Sequence, residues 1–238
     1  LTVKDNKAYG LGVGDMKGGL VAILKMAEYS SKNNLPVKVI FGVDEEGISQ
    51  GAHNLVDSKL LNNVNFLIVG ESGQIKNLNQ PFSVVFGRKG RILFDIEVFG
   101  KKAHAAENDK GLNAIEQAAT LIKAIKKIRF PKDKDFGQSD IVFQEINSQT
   151  DSFSVPDYCL VRCSLLSNSQ TKNTDFIRVA SQVAAKLGIK VKISVHPRQT
   201  PYGESYKVDT NNSFLKRVEK NILTPSKIKP IYTSSVAD

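Results

Sequence analysis

The sequence is poor in features that would place it in a class at once, and cysteine is the clearest case. Its 238 residues contain only two, Cys159 and Cys163, four residues apart in the strand-like run YCLVRCSLL. At this spacing both side chains point to the same face of a strand about 13 Å apart, too far for a disulfide. We therefore predict two buried thiols, which suit a reducing compartment and favour a cytoplasmic protein.

Long apolar runs and nucleic-acid-binding motifs are also missing. No stretch approaches the ~20 apolar residues of a membrane-spanning helix, so we expect no membrane partner. The net charge is +9, from 33 Lys and Arg against 24 Asp and Glu, and such an excess can mark a nucleic-acid-binding surface. However, the longest basic stretch, residues 123–129, is not interleaved with aromatic residues. We interpret the lysines as scattered over solvated faces and expect no nucleic-acid partner.

Four acidic residues in the first 75 positions lie in predicted turns that follow or begin regular elements. They are Asp15, Glu45, Glu46 and Glu71. Apolar runs at residues 37–43 and 65–70 stop at the last three acids, and a helix is predicted between them at residues 51–61. This order is a βαβ unit, whose parallel strands would bring the acids to the carboxyl edge of a sheet, where open α/β sheets bind ligands. Several carboxylates cannot lie close together ionised unless a cation or protons offset their repulsion, and a metal is the simplest of these solutions.

The second half of the chain has a different pattern. Strands are predicted at residues 84–100, 140–146, 153–165 and 190–196, and helices at 112–128 and 174–187. The resulting β-α-β-β-α-β order is the ferredoxin-like split motif. Further helices are predicted at 16–32 and 212–222. We predict an α/β protein with a parallel or mixed sheet in a catalytic domain, residues 1–81 and 199–238, and an inserted ferredoxin-like α+β domain, residues 82–198.

Five segments resemble one enzyme family, in order along the chain. They are GDMKGG, DEEG, VGES, GRKGRILFDIEVFGKKAHA and KGLNAI, and they look like the aminoacylase, glutamate carboxypeptidase and succinyl-diaminopimelate desuccinylase family. Its members are dinuclear zinc hydrolases with an inserted dimerisation or lid domain. The resemblance implies a metallopeptidase or deacylase that cleaves an amide bond of a small N-acyl amino acid or peptide. It also implies two zinc ions, with cobalt or manganese as alternatives, and a homodimer formed through the inserted domain.

The same resemblance implies roles for individual residues. Asp15 would bridge the two metals, and Glu46 and Glu71 would be terminal ligands. Glu45 would be the general base that takes a proton from the attacking water and passes it to the leaving amine. His104 would reach into the active site of the partner subunit and polarise the scissile carbonyl.

Other positions carry weaker implications. Gly111 and Asn113 lie where the inserted domain of the family contacts substrate, whereas His53 and His196 are interpreted as structural. GRKG followed by AHAAEN favours the carboxypeptidase branch over the desuccinylases. Ser164 and Leu166 stand where the family usually has Asp-x-Arg, so a substrate-carboxylate clamp from that arginine is not expected.

The metal site is expected to be incomplete within these 238 residues. The family has a His-x-Asp motif before GDMKGG and a histidine after the segment that TSSVAD resembles, and neither is among these residues. We therefore expect a catalytic domain incomplete at both ends. Three carboxylates without imidazoles would hold zinc poorly.

Two other classes are compared with the hydrolase. The run GLGVG before a helix is similar to a dinucleotide-binding turn, but its glycines do not follow G-x-G-x-x-G. The preceding LTVKDNKAY is also too charged for a buried parallel strand. A non-catalytic dimerising protein that has lost its metals is the alternative to the enzyme. A His-x-Asp before residue 1 and a histidine after residue 238 would favour the enzyme.

Overall fold

The computed structural model describes residues 1–71, 84–150 and 153–233. The chain divides into unit 1, Leu1–Val84 with Arg217–Pro230, and unit 2, Val85–Lys216 with Ile231–Asp238. The predicted domain boundary between residues 81 and 82 lies outside the described residues. The assignment of a catalytic and an inserted domain stays a prediction. In the parts of the chain that the structure describes, no helix is both long and apolar enough to cross a membrane.

Unit 1 begins with a small hairpin and continues with helices. Its first elements are β1 (Thr2–Lys4), β2 (Lys7–Tyr9), α1 (Gly18–Lys32), α2 (Gln50–Asp57) and a 3₁₀ turn (Lys59–Leu61). The antiparallel hairpin turns at Asp5 and Asn6, which have φ of 50° and 57°. Asp and Asn tolerate this left-handed region better than other residues with side chains. The helices predicted at residues 16–32 and 51–61 are confirmed as α1 and α2.

The two apolar runs predicted as parallel strands are not strands in the structure. Residues 37–43 and 65–70 are assigned to no sheet, and the Val43 and Ile68 side chains are 72% and 70% exposed. A parallel strand is stable when neighbouring strands cover its edges and helices cover its faces. Within residues 1–71, 84–150 and 153–233, no strand pairs with these runs. The mixed α/β class is confirmed, but the prediction of paired parallel strands at these two runs is wrong.

Unit 2 contains the predicted split motif. Its elements are β3 (Val84–Arg88, whose first residue is the last of the first segment of unit 1), β4 (Gly90–Phe99), α3 (Ala114–Ile125), β5 (Asp140–Asn147), β6 (Tyr158–Ser167), α4 (Asn173–Lys186), β7 (Lys190–Val195) and β8 (Tyr206–Lys207). Helix α5 (Ser213–Val218) begins in unit 2 and ends in unit 1, and β9 (Pro230–Thr233) begins at the last residue of unit 1 and continues in unit 2. Strands β4 to β7 form an antiparallel sheet in the order β5-β6-β4-β7. The β-α-β-β-α-β order is therefore confirmed.

The single strand predicted at residues 84–100 is two strands in the structure, β3 and β4. The run at residues 84–100 is interrupted at Lys89, whose buried side chain bonds the Gln138 carbonyl and Asp140. Strand β3 then belongs to a second sheet, in the order β8-β3-β9. It pairs antiparallel with β8, with Gly87 opposite Lys207.

The core of unit 2 follows from alternation along β4 and β6, because successive side chains of a strand point to opposite faces. The fully buried residues on one face of these strands are Phe94, Ile96, Val98, Cys159, Val161, Cys163 and Leu165. The Phe94 and Phe176 rings pack with centroids 4.4 Å apart. Both cysteines are buried and free, as predicted from their spacing.

Candidate active site

Asp15 lies in an irregular turn between β2 and α1. Residues Val13–Lys17 form one wide turn in which Asp15 and Met16 leave the helical conformation, and the peptide bond between them is cis. Gly12, with φ of 70°, opens the turn and accepts the Lys17 amide at 2.9 Å. The Lys17 ammonium donates to the Leu11 carbonyl at 2.7 Å. The turn is thus held by its own backbone and by the Lys17 side chain, and Asp15 is exposed.

A glycine contact brings the segment after Asp15 next to the segment before Glu71. A Cβ atom on Gly19 would lie 1.8 Å from the carbonyl oxygen of Gly70. Only glycine allows two backbones to approach this closely. Gly19 is in the first turn of α1, four residues after Asp15, and Gly70 directly precedes Glu71. The contact explains why the second residue of the GG pair at the start of α1 is glycine.

Asp44 organises the loop that carries Glu45 and Glu46. Its Oδ2 accepts the amides of Ile48 and Gln50 at 3.3 and 3.1 Å. Its φ of 63° is left-handed, a conformation that Asp tolerates in turns. Because Gln50 begins α2, the carboxylate also lies at the positive end of the helix dipole.

Two glycines complete this loop. A Cβ on Gly47 would lie 2.1 Å from Oδ1 of Asp44, and one on Gly51 would lie 2.5 Å from the carbonyl oxygen of Val43. The loop is therefore closed on itself and packed against the residue before it. Glu45 and Glu46 project from it as exposed residues. The structural role of Asp44 is absent from the sequence predictions, although an Asp before a Gly- and Ser-containing turn is its usual mark.

The structure does not gather the predicted metal ligands. Among the described residues, which include Asp15, Glu46 and Glu71, no group of three or more His, Cys, Asp or Glu side chains could hold a metal. Carboxylate oxygens are acceptable zinc donors, but the arrangement seen here, with no imidazole joining them, does not fit a zinc ion. Asp15 and Glu46 are exposed and Glu71 is half-buried. Their roles as ligands stay a prediction.

His104 lies in a loop of unit 2 between β4 and α3. It is exposed and caps a 3₁₀ segment, Ala105–Lys110, because its Nδ1 accepts the Ala106 amide at 3.2 Å. Gly111 ends the loop, where a Cβ would lie 3.0 Å from the side chains of Ala103 and Val155. The structure thus gives Gly111 a packing role.

Asn113 is the N-cap of α3. Its Oδ1 accepts the amides of Ile115 at 2.9 Å and Glu116 at 3.4 Å. Capping by Asn satisfies helix amides that have no partner within the helix. Substrate contacts by Asn113 and Gly111 stay predictions beside these structural roles.

A half-buried charge cluster holds His196 in unit 2. The Asp95 carboxylate bonds Nε of Arg162 and Nδ1 of His196, both at 2.7 Å. Burial raises the pKa of the Asp95 carboxyl, but the hydrogen bonds from Arg162 and His196 outweigh burial and hold it below its usual value. His196 is therefore tied into the sheet, in line with its interpretation as structural. His53 lies half-buried on α2.

Comparison with known proteins decides the family. The model of the Peptidase family M20/M25/M40 matches residues 1–221. The chain belongs to this family. The resemblance drawn from the motifs is confirmed.

Two M20/M25/M40 relatives give the scale of the similarity. Acetylornithine deacetylase from Buchnera aphidicola subsp. Schizaphis graminum is 31% identical over 156 residues, which cover 62% of this chain and 39% of that protein. A probable succinyl-diaminopimelate desuccinylase from Staphylococcus epidermidis is 32% identical over 133 residues, or 53% of this chain and 31% of that protein. The chain therefore matches less than half the length of these curated relatives. The preference for a carboxypeptidase stays a prediction.

A solved structure shows the fold of this M20/M25/M40 chain. Aminopeptidase PepT from Bacillus cereus aligns with all of the chain and 62% of its own length, with a TM-score of 0.62 and 18% identity. At this identity the similarity supports the fold alone.

Proposed function

We propose that the protein hydrolyses an amide bond of a small N-acyl amino acid or peptide. The observation that carries this proposal is the family match over residues 1–221, which includes all seven predicted site residues. The names of the relatives support it, because a deacetylase and a desuccinylase both remove an acyl group from an amine.

Glu45 is the proposed general base. Its carboxylate takes a proton from the attacking water as the water oxygen adds to the carbonyl carbon. The proton then goes to the amide nitrogen as the C–N bond breaks, which leaves a carboxylate and an amine. Two features of its position support this role. Glu45 is exposed, and the backbone of its loop is held by hydrogen bonds to the Asp44 side chain.

The use of zinc is proposed only from the resemblance to the zinc hydrolase family. If the site forms, Asp15, Glu46 and Glu71 are the residues of this chain that would hold the ion, with cobalt or manganese as alternatives. A divalent ion there would polarise the substrate carbonyl and acidify water. Because the described residues do not gather these carboxylates, we assign no step of the reaction to a metal.

Unit 2 is the proposed dimerisation unit, and His104 its contribution to the partner's active site. Strands β5 and β7 end the four-stranded sheet, and an edge strand is a ready site for pairing with a second copy. His104 is exposed and would donate a hydrogen bond to the substrate carbonyl. Asn113 and Gly111 would lie next to the substrate through the same loop.

A hydrolysis assay tests the function. Release of free amine by the complete natural protein is measured from a panel of N-acetyl and N-succinyl amino acids and dipeptides, with and without added zinc. We expect turnover of at least one class, and a fall in kcat of about 10²–10⁴-fold in Glu45→Gln. Glu28→Gln is the matched control, because Glu28 is an exposed glutamate on α1 whose carboxylate pairs with Lys25 and Lys32.

Two outcomes would overturn parts of the proposal. Full kcat in Glu45→Gln would show that Glu45 is not the base. Binding of the panel without turnover of any member would favour the non-catalytic dimerising protein.

A further inference from the structure

Two histidines of unit 2 use the same ring nitrogen in opposite ways. Nδ1 of His196 lies 2.7 Å from the Asp95 carboxylate, which is ionised and can only accept. This nitrogen must therefore carry a proton. Nδ1 of His104 instead accepts a hydrogen bond from the Ala106 amide, 3.2 Å away. A nitrogen that accepts a hydrogen bond carries no proton, so the neutral ring of His104 carries its proton on Nε2.

The backbone on both sides of His104 is fixed. The Ala103 carbonyl accepts the Val155 amide at 2.8 Å, and the Ala105 amide donates to the Phe153 carbonyl at 2.9 Å. These bonds flank His104 directly, and its own carbonyl accepts the Glu107 amide at 2.8 Å. The backbone position of His104 is therefore set by backbone bonds, and the Ala106 amide then bonds its ring.

The base of the loop is closed as well. Lys101 and Leu112 exchange two backbone hydrogen bonds, each 2.9 Å. A Cβ on Gly100 would lie 2.0 Å from the Leu112 carbonyl oxygen, so the two ends of the loop are in backbone contact. The loop is held independently of any ligand.

We propose that this loop presets His104 as a neutral hydrogen-bond donor, with Nε2–H as the donating atom and the Ala106 amide as the positioning group. The acceptor is a carbonyl oxygen that gains negative charge during amide hydrolysis. This last part rests on the proposed function, whereas the tautomer does not. A donor that is already oriented requires no rearrangement during the reaction, which is what makes an oxyanion donor effective.

Nuclear magnetic resonance tests the tautomer directly. Long-range ¹H–¹⁵N correlations of histidine-labelled protein at about pH 8, above the model-peptide value for histidine, distinguish Nε2–H from Nδ1–H. The chain has three histidines, so single His→Gln variants assign all the signals. We expect Nε2–H for His104 and a protonated Nδ1 for His196, which serves as the internal reference. A Nδ1–H ring or an even mixture at His104 would overturn the proposal.

The Ala106 amide is tested by a pair of variants. Ala106→Pro removes the N–H and is expected to shift His104 towards a mixture of tautomers. Ala106→Gly keeps the N–H and is expected to leave the Nε2–H pattern unchanged. If His104 keeps a pure Nε2–H ring in Ala106→Pro, the amide does not set the tautomer.

The donating atom is tested by turnover. A Gln side chain can place an N–H near the position of Nε2, whereas an Asn side chain reaches only the position of Nδ1. We expect kcat to fall by about 10²–10³-fold in His104→Asn and by less than about tenfold in His104→Gln. Equal losses would exclude Nε2–H as the donor. If kcat is unchanged in both variants, His104 does not donate a hydrogen bond to the substrate. If nuclear magnetic resonance of the parent protein still shows Nε2–H at His104, the proposed tautomer remains valid without that role.

Discussion

Gly19 and Gly70 touch backbone to backbone, and neither has room for a side chain. A Cβ on Gly70 would lie 2.8 Å from Cδ1 of Ile23, and one on Gly19 would lie 1.8 Å from the carbonyl oxygen of Gly70. The contact joins the start of α1 to the residue before Glu71. It links two of the acid-bearing segments of unit 1.

Gly19→Ala should therefore destabilise unit 1. The added methyl group meets backbone, which cannot rotate away, and overpacking of this kind costs about 1–3 kcal/mol. Gly18→Ala is the matched control. Its Cβ would lie 3.5 Å from the Val13 carbonyl oxygen, an ordinary contact, and Ala is favoured over Gly in a helix by about 1 kcal/mol. Urea unfolding followed by far-UV circular dichroism should show opposite shifts for the two variants. Equal shifts would mean that the Gly19–Gly70 contact is not tight in solution.

Asp44→Ala should loosen the loop that carries Glu45 and Glu46. The substitution removes the acceptor for two amides and places Ala in a left-handed conformation, at a cost of about 1–2 kcal/mol. Asp44→Asn keeps an acceptor oxygen and tolerates that conformation, so its loss should be smaller. Asp57→Asn, at the exposed end of α2, is the control. The free energy of unfolding measures the effect, and an Asp44→Ala protein as stable as the control would contradict it.

The fold of unit 2 could be predicted because its signals are local and redundant. Alternation along β4 specifies which residues are buried, and helical spacing along α3 specifies a matching face. Asn113 could have been assigned as an N-cap as well, since Glu116 follows it at the spacing typical of helix starts. The break at Lys89 could not, because a lysine that turns inward is recognised only by its partner Asp140, 51 residues away.

The prediction of parallel strands at residues 37–43 and 65–70 of unit 1 was wrong for a different reason. An apolar run such as residues 65–70 has the composition of a buried strand, but a strand exists only with its neighbours. Its pattern carries no information on whether those neighbours are present. The predicted meeting of the acids at one sheet edge depends on the same pairing of strands. The sequence therefore shows which residues are acidic, but not whether they lie close together.

Both cysteines should be unreactive in the folded protein. Cys159 and Cys163 are 0% exposed, and burial, together with the charge of Asp95, raises the pKa of the Cys163 thiol to about 12. Only the thiolate reacts, and exposure requires opening of the sheet. We expect labelling by a disulfide reagent at about pH 8 to be at least about a hundredfold slower than in urea.

Cys159→Ala provides the corresponding single-thiol protein. Its remaining thiol, Cys163, should stay as slow as in the parent. Rapid modification of one thiol in the parent protein would show that β6 is accessible in the native state. Labelling also reports unfolding of unit 2 separately from unit 1, which contains no cysteine.

The Asp133 carboxylate should make unit 2 less stable in acid. Burial raises the pKa of this group, but hydrogen bonds from Ser169, the Phe136 and Asp135 amides and Lys207 outweigh burial and hold it well below its usual range. A lowered pKa stabilises the fold fully above the unfolded value of about 3.9, and the contribution is lost as pH falls from there towards the folded pKa.

Asp133→Asn should therefore lower the free energy of unfolding by about 1–3 kcal/mol near neutral pH and flatten its decline between about pH 5 and pH 2. Asp135→Asn is the control, because it removes one contact of Lys207, at 2.7 Å, and leaves the amides that bind Asp133 in place. Urea unfolding of unit 2 across this pH range, followed by thiol labelling, measures both effects. An Asp133→Asn protein whose stability declines in acid as steeply as that of the parent would show that this carboxylate is not the group responsible.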